Sequence, residues 1–109
     1  MRPITDDPRV GFVKGYFQDT LPGFLRDFAP ENRLVIHCDA DLYTATLFVL
    51  TSLDRIVAPG TVLIFDEFGS VCHEFKAFVE YTRCFRRCYE LRAVTTPPFY
   101  TQAAFEIIG

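Results

Sequence analysis

Leu34-Val-Ile-His-Cys-Asp-Ala-Asp-Leu-Tyr43 is the stretch on which the reading of the chain turns. Leu34, Val35, Ile36 and Cys38 predict a short strand buried on both faces, and the run stops abruptly at two carboxylates, Asp39 and Asp41. Strand side chains alternate, so these two acids share a side if the extended form persists, placed to hold a cation or a polar ligand. About 25 residues further on the pattern recurs in Thr61-Val-Leu-Ile-Phe-Asp-Glu67, a second apolar strand ending in Asp66 and Glu67.

The segment between them predicts a helix over residues 44–57, with Ala45, Val49, Leu53 and Ile56 along one side and Ala58-Pro59-Gly60 as its stop. Strand, helix and strand in that order make a βαβ unit with parallel strands, which brings both acidic ends to one edge of the sheet. Ligands of open α/β sheets bind outside the carboxyl ends of the strands, where Asp39, Asp41, Asp66 and Glu67 are expected to gather.

Toward the N-terminus, Val10-Gly-Phe-Val-Lys-Gly15 reads as a short strand. A helix follows, capped by Asp19 or Thr20, with Pro22 in its first turn and Leu21, Phe24, Leu25 and Phe28 as its apolar stripe. Toward the C-terminus, Ser70 is placed to cap a helix whose core side carries Val71, Phe75, Phe78 and Phe85, with Glu74 and Lys76 on other sides. Two strand-like runs, over 89–94 and 103–108, predict a closing hairpin with a long loop.

At 109 residues, half of them hydrophobic, and with a net charge of −3, the chain is expected to form a single α/β domain over 1–109. There is no run of like charge and no basic stripe, so nucleic acid is not an expected partner. No stretch approaches the roughly 18 apolar residues of a membrane span. The first residues also lack a signal-peptide core, so a cytoplasmic location is expected. Cys38, Cys72, Cys84 and Cys88 show no CxxC spacing, and reduced cysteines serving as small apolar residues are preferred over a zinc site.

Hard oxygen ligands at strand ends suit magnesium, calcium or manganese. The plainer alternative is that Asp39, Asp41 and Asp66 only cap the loops and helices that follow. Two acid pairs on one edge weigh toward a site, because clustered like charges cost stability unless a cation or hydrogen bonds offset them.

Three segments, residues 10–22 (VGFVKGYFQDTLP), 37–46 (HCDADLYTAT) and 58–68 (APGTVLIFDEF), resemble the C-terminal half of the macrocin O-methyltransferase family in order and spacing. The resemblance runs from about Val10 to the Ala-Phe-Glu-Ile ending. It implies a partial Rossmann-like methyltransferase fold, a mostly parallel sheet with a C-terminal antiparallel hairpin, lacking the first two family strands. It also implies that Asp39, Asp66 and Glu67 form a magnesium site gripping two neighbouring hydroxyls of a sugar or other diol acceptor. A cation there makes the held hydroxyl more acidic, and Asp41 is the nearby carboxylate assigned to take its proton. The family often has Asp-Asp where this chain has Asp66-Glu67. His37 and His73 are alternative proton acceptors, read in the first instance as structural.

Against that family, the glycine-rich turn and the ribose-binding acid that hold S-adenosylmethionine are missing; the six glycines contain no GxGxxG. No cofactor-binding residue is therefore assigned, and the cofactor is expected to bind only if the missing half is supplied or rebuilt. Loss of the family's first strand leaves a gap between its third and fourth. The gap is expected to close by the Val10 strand pairing beside Leu34, by a homodimer, or by a partner supplying the missing half. Three function classes follow: a methyltransferase, or part of one, inactive alone; a non-catalytic oligomerisation or adaptor module derived from one; and a metal-dependent glycosyltransferase-like protein with an Asp-x-Asp motif.

Overall fold

The computed structural model describes residues 6–40, 42–66, 73–95 and 102–109, and the elements run α1 (Phe17–Asp27), β1 (Val35–Cys38), α2 (Tyr43–Leu53), a 3-10 turn (Asp54–Ile56), β2 (Val62–Phe65), α3 (Glu74–Cys84), β3 (Tyr89–Val94) and β4 (Ala103–Ile107). The four strands form one sheet in the order β1-β2-β4-β3. β1 and β2 are parallel, joined through α2, while β4 runs antiparallel to both β2 and β3. The expected βαβ unit and closing hairpin are both present, with β4 inserted between β2 and β3, so the sheet is mixed: one parallel pair and two antiparallel ones.

One core joins all three helices to one face of the sheet. Leu25 of α1, Leu50 and Leu53 of α2, and Ala77, Phe78 and Tyr81 of α3 pack with Ile36, Cys38, Leu63, Phe65, Phe105 and Ile107. The exposure of β1 alternates, Ile36 and Cys38 buried and Val35 and His37 exposed, which corrects the expectation of a strand covered on both faces. Among the described residues no helix packs on the face that carries Val35, His37, Val62, Ile64, Ala104 and Glu106. An ion-pair row crosses that face: Arg33 and Arg92 both reach Glu106, at 3.2 and 3.0 Å, and Arg92 also reaches Glu90.

Several local expectations are corrected. Residues 10–13 form no strand and are exposed, so no Val10 strand lies beside β1. A strand needs a neighbour to take its backbone groups, and the sheet ends at β1 on that side. Helix α1 starts earlier than expected, after Tyr16, so Pro22 lies inside it and Asp19 falls in the first turn, where a carboxylate favours the exposed amide dipoles. Gly15 permits that start: its φ is +133°, and a Cβ there would meet the Thr20 methyl at 2.9 Å.

In α2 the buried positions are Thr46, Leu50 and Leu53, continued by Val57, so the core-facing stripe is turned from the predicted one. The Thr46 hydroxyl, buried with it, donates to the Leu42 carbonyl at 2.9 Å and so carries no desolvation debt. In α3 the buried side is Glu74, Ala77, Phe78, Tyr81 and Thr82, while Phe75 is 40% exposed and Phe85 is the exposed C-cap. Glu74, predicted to face elsewhere, is fully buried. Ser70, Val71 and Cys72 lie outside the described residues.

Cys38, Cys84 and Cys88 are free thiols. Cys38 is buried, and burial, aided by the Glu74 carboxylate, pushes its thiol up to about 12. Cys84 and Cys88 are exposed. Thiolate, not thiol, is the nucleophile, so at pH 8 an alkylating reagent should label Cys84 and Cys88 in the native protein and Cys38 at least about a hundredfold more slowly. Peptide mapping after timed quenching checks this, and denaturant should erase the difference.

Candidate functional site

The register fixes what stands at the carboxyl ends of the strands. Cys38 pairs with Phe65 across the parallel β1–β2 ladder, and Phe65 pairs with Ala103 across the antiparallel β2–β4 ladder. The next row upward is therefore Asp39, Asp66 and Gln102, and the Asp66 amide extends the ladder by donating to the Cys38 carbonyl at 3.2 Å. Alternation puts this row on the same side as His37, Ile64 and Ala104, the face without helices.

Their side chains converge. His37 Nε2 lies 2.8 Å from Asp66 Oδ1, and Gln102 Nε2 donates to the same oxygen at 3.4 Å. The hydrogen bond to His37 holds the Asp66 carboxyl below its ordinary range, with a smaller contribution from Gln102. The same contact with Asp66 raises the His37 imidazole above its usual value, helped by the negative charges of Asp66, Asp39 and Glu74. His37 therefore donates through Nε2 to an ionised carboxylate. Beside this cluster an open cleft of about 370 Å³ runs over the bare face, with Ala93, Thr95 and Ala104 in its walls.

Of the four acids predicted to gather, the structure brings Asp39 and Asp66 together. Asp41, assigned as the proton acceptor, and Glu67, assigned as a cation ligand, lie outside the described residues. Among the described residues no group of three or more His, Cys, Asp or Glu side chains is arranged to hold a metal ion. Asp39 and Asp66, neighbours at the ends of adjacent strands, nevertheless fit a cation, since neighbouring carboxylates repel as anions unless a proton or a cation offsets the charge.

Gln102 was not predicted at the site, and His37 was named only as an alternative proton acceptor, read in the first instance as structural. His37 was assigned to the interior of a strand covered on both sides, but its side chain is 56% exposed. The signal was its spacing, two residues before Asp39 and so on the same side. For Gln102 no sequence signal existed, because its place opposite Asp66 depends on β4 entering between β2 and β3.

A second polar cluster lies elsewhere. Asp54 accepts from the Tyr81 hydroxyl at 2.7 Å and from Arg87 Nε at 2.8 Å, while Arg87 Nη2 donates to the carbonyls of Asp54 and Val57. It ties the end of α2 to α3 and to the approach to β3. Across the helices, Tyr43 donates to Glu80, and Lys76 Nζ lies 4.5 Å above the Tyr43 ring.

Residues 4–95 match the macrocin-O-methyltransferase (TylF) family. Over 64 residues the chain is 43% identical to the 8-demethyl-8-(2,3-dimethoxy-alpha-L-rhamnosyl)-tetracenomycin-C 4'-O-methyltransferase of Streptomyces olivaceus. Over 63 residues it is 40% identical to the mycinamicin III 3''-O-methyltransferase of Micromonospora griseorubida. These stretches cover 58% and 57% of this chain and 23% of each relative. The fold superposes on the apo structure of CalS11, a TDP-rhamnose 3'-O-methyltransferase of calicheamicin biosynthesis, with a TM-score of 0.65 and 24% identity over 86% of this chain and 39% of that one. The chain thus spans less than half the length of the proteins it matches, and with most of its residues inside the family match it belongs to the macrocin-O-methyltransferase family.

Proposed function

We propose that the chain carries the acceptor side of an S-adenosylmethionine-dependent sugar O-methyltransferase, with Asp39 and Asp66 as two ligands of a divalent cation, magnesium in the first instance. The observation that carries this reading is the placement of Asp39 and Asp66 side by side at the ends of adjacent parallel strands, in a family whose relatives include a rhamnosyl-tetracenomycin-C 4'-O-methyltransferase and a mycinamicin III 3''-O-methyltransferase. Glu67 is the third ligand by resemblance to the family, and Asp41 the residue that takes the proton from the acceptor hydroxyl. A bound divalent cation supplies Lewis acidity that lowers the pKa of a hydroxyl held there. Asp39 and Asp66 would hold that cation, and Ile64 and Ala104 floor the neighbouring cleft.

The face without helices and the open edge of β1 are where we place the cofactor half that this chain does not contain, brought by a partner polypeptide or a second copy. Exposed Val35 on β1, with half-buried Val62 and Ile64 beside it on the same face, supports this placement. The family match favours it over the glycosyltransferase-like reading of Asp-x-Asp. An adaptor that kept the fold without the chemistry is the second reading, favoured by the same bare face.

Calorimetric titration separates them, on protein whose mass is fixed by light scattering. Manganese or magnesium should bind, and Asp39→Asn should weaken that binding at least about tenfold, as loss of a direct ligand costs no less than the roughly 10–100-fold typical of losing an outer contact. S-adenosylmethionine should bind measurably only to material that is dimeric or supplied with the missing half. Absence of cation binding in the wild-type chain would leave the adaptor.

A further inference from the structure

The strand face below the acids bears one feature that the reading above leaves unused. His37 stands on β1 one alternation before Asp39, points out of the sheet on the face without helices, and spends its Nε2 on Asp66 Oδ1 at 2.8 Å. Gln102, the residue opposite Asp66 on β4, reaches the same oxygen at 3.4 Å. Both donors thus meet on Oδ1, and neither is directed to Oδ2. A carboxylate on a strand end has free rotation about its last bond, and two donors on one oxygen stop that rotation.

We propose that His37 is a positioning residue for the cation site: with Gln102 it holds Asp66 by Oδ1 so that Oδ2 is presented on the side of Asp39. The proposal rests on the cation reading given above and goes beyond it by assigning a role to a side chain that touches neither cation nor acceptor. The contact needs only a hydrogen on Nε2, which the neutral Nε2-H tautomer and the imidazolium both have. Carboxylates that bind metal ions are generally held by such outer hydrogen bonds, and losing one typically costs 10–100-fold in affinity. His37 is suited to the task because β1 and β2 are held in register from Val35 and Val62 to Cys38 and Phe65, so its ring is carried on a paired strand beside the one that leads to Asp66.

The test is manganese affinity, read by the electron paramagnetic resonance of free Mn2+ on the whole chain, for wild type, His37→Ala, His37→Gln, Gln102→Ala and Asp39→Asn. Circular dichroism and thermal unfolding are recorded on each variant. His37→Ala should bind manganese at least about tenfold more weakly with its fold intact, since the side chain is more than half exposed. His37→Gln, which places an amide nitrogen where Nε2 stood, should recover affinity to within about threefold, a rescue that a merely structural role would not show. Gln102→Ala should fall between wild type and His37→Ala, in keeping with its longer contact.

Equal affinity in wild type and His37→Ala, while Asp39→Asn is weakened, would overturn the positioning role and leave the cation site standing. Tighter binding by His37→Ala would also overturn it, since the imidazole would then be a competitor for Asp66. No binding by wild type would overturn both this role and the cation reading on which it rests.

Discussion

Phe78→Ala is expected to lower the stability of the domain by about 3–5 kcal/mol, the range for truncating a fully buried aromatic ring. Phe78 is 1% exposed and joins α3 to three strands at once. Its ring stacks on Phe105 at 4.4 Å and meets the edges of Phe65 and Tyr89 at 5.3 and 4.7 Å. Such contacts add roughly 0.5–1.5 kcal/mol per pair to the area term, so this one side chain anchors the helix on the sheet. Domains of this size are stable by only about 5–15 kcal/mol, and one with a single covered sheet face belongs at the low end, so the variant should be largely unfolded at 37 °C. Urea denaturation followed by circular dichroism measures the loss. The control is Phe75→Ala, three residues earlier on the same helix and 40% exposed, which should cost less than about 1 kcal/mol. If the two variants are equally destabilised, the orientation of α3 described above is wrong.

The second large effect is expected at Asp54. Asp54→Ala removes the acceptor of the Tyr81 hydroxyl and of Arg87 Nε together. Tyr81 is fully buried, and burial raises its phenol pKa further above the usual range, so the hydroxyl stays protonated and keeps needing an acceptor. A buried donor left without a partner costs about 1–3 kcal/mol, and the loss of a charge partner for Arg87 adds to it, giving about 3 kcal/mol in all. The side chains of Asp54 and Arg87 remain 17% and 19% exposed, and that access to water keeps the loss below that of a fully buried pair. Asp54→Asn, which retains a carbonyl oxygen for Tyr81, should lose less than half as much. A double-mutant cycle of Asp54→Ala with Tyr81→Phe should give a coupling energy of at least about 0.5 kcal/mol, and additive losses would show that the two do not act together.

The sequence made the central architecture legible because two strong patterns agreed on it. The apolar runs before Asp39 and Asp66 and the helix between them specify a parallel pair, and the pair puts both acids on one edge whatever the rest of the chain does. What was less legible depended on packing against elements distant in sequence. On α3 the aromatic residues alone point to a core side through Phe75, Phe78 and Phe85, yet of these three Phe78 is buried, with Glu74, Ala77 and Tyr81, while Phe75 and Phe85 are exposed. Tyr81 faces inward because Asp54, 27 residues away, accepts its hydroxyl, a partner no local pattern reveals. The Val10 run has strand composition but no neighbouring strand, and composition alone does not pair backbone groups. At the site, Asp39 and Asp66 followed from spacing; the same spacing puts His37 on the side of Asp39, but its place on an open face of β1 is seen only in the fold.

The place of β4 has a consequence for the order in which the chain can mature. β1, α2 and β2 are contiguous and can associate as soon as they emerge during synthesis, but among the described residues β3 has no strand partner other than β4. β4 is residues 103–107, so the sheet stays in two pieces until that segment has cleared the ribosome. Until then Leu63 and Phe65 lie along an unpaired border, the kind of nascent surface that chaperones shield. Ribosome-stalled chains ending before residue 103 should therefore be cut rapidly by protease, and chains extended beyond it by a flexible linker should become resistant.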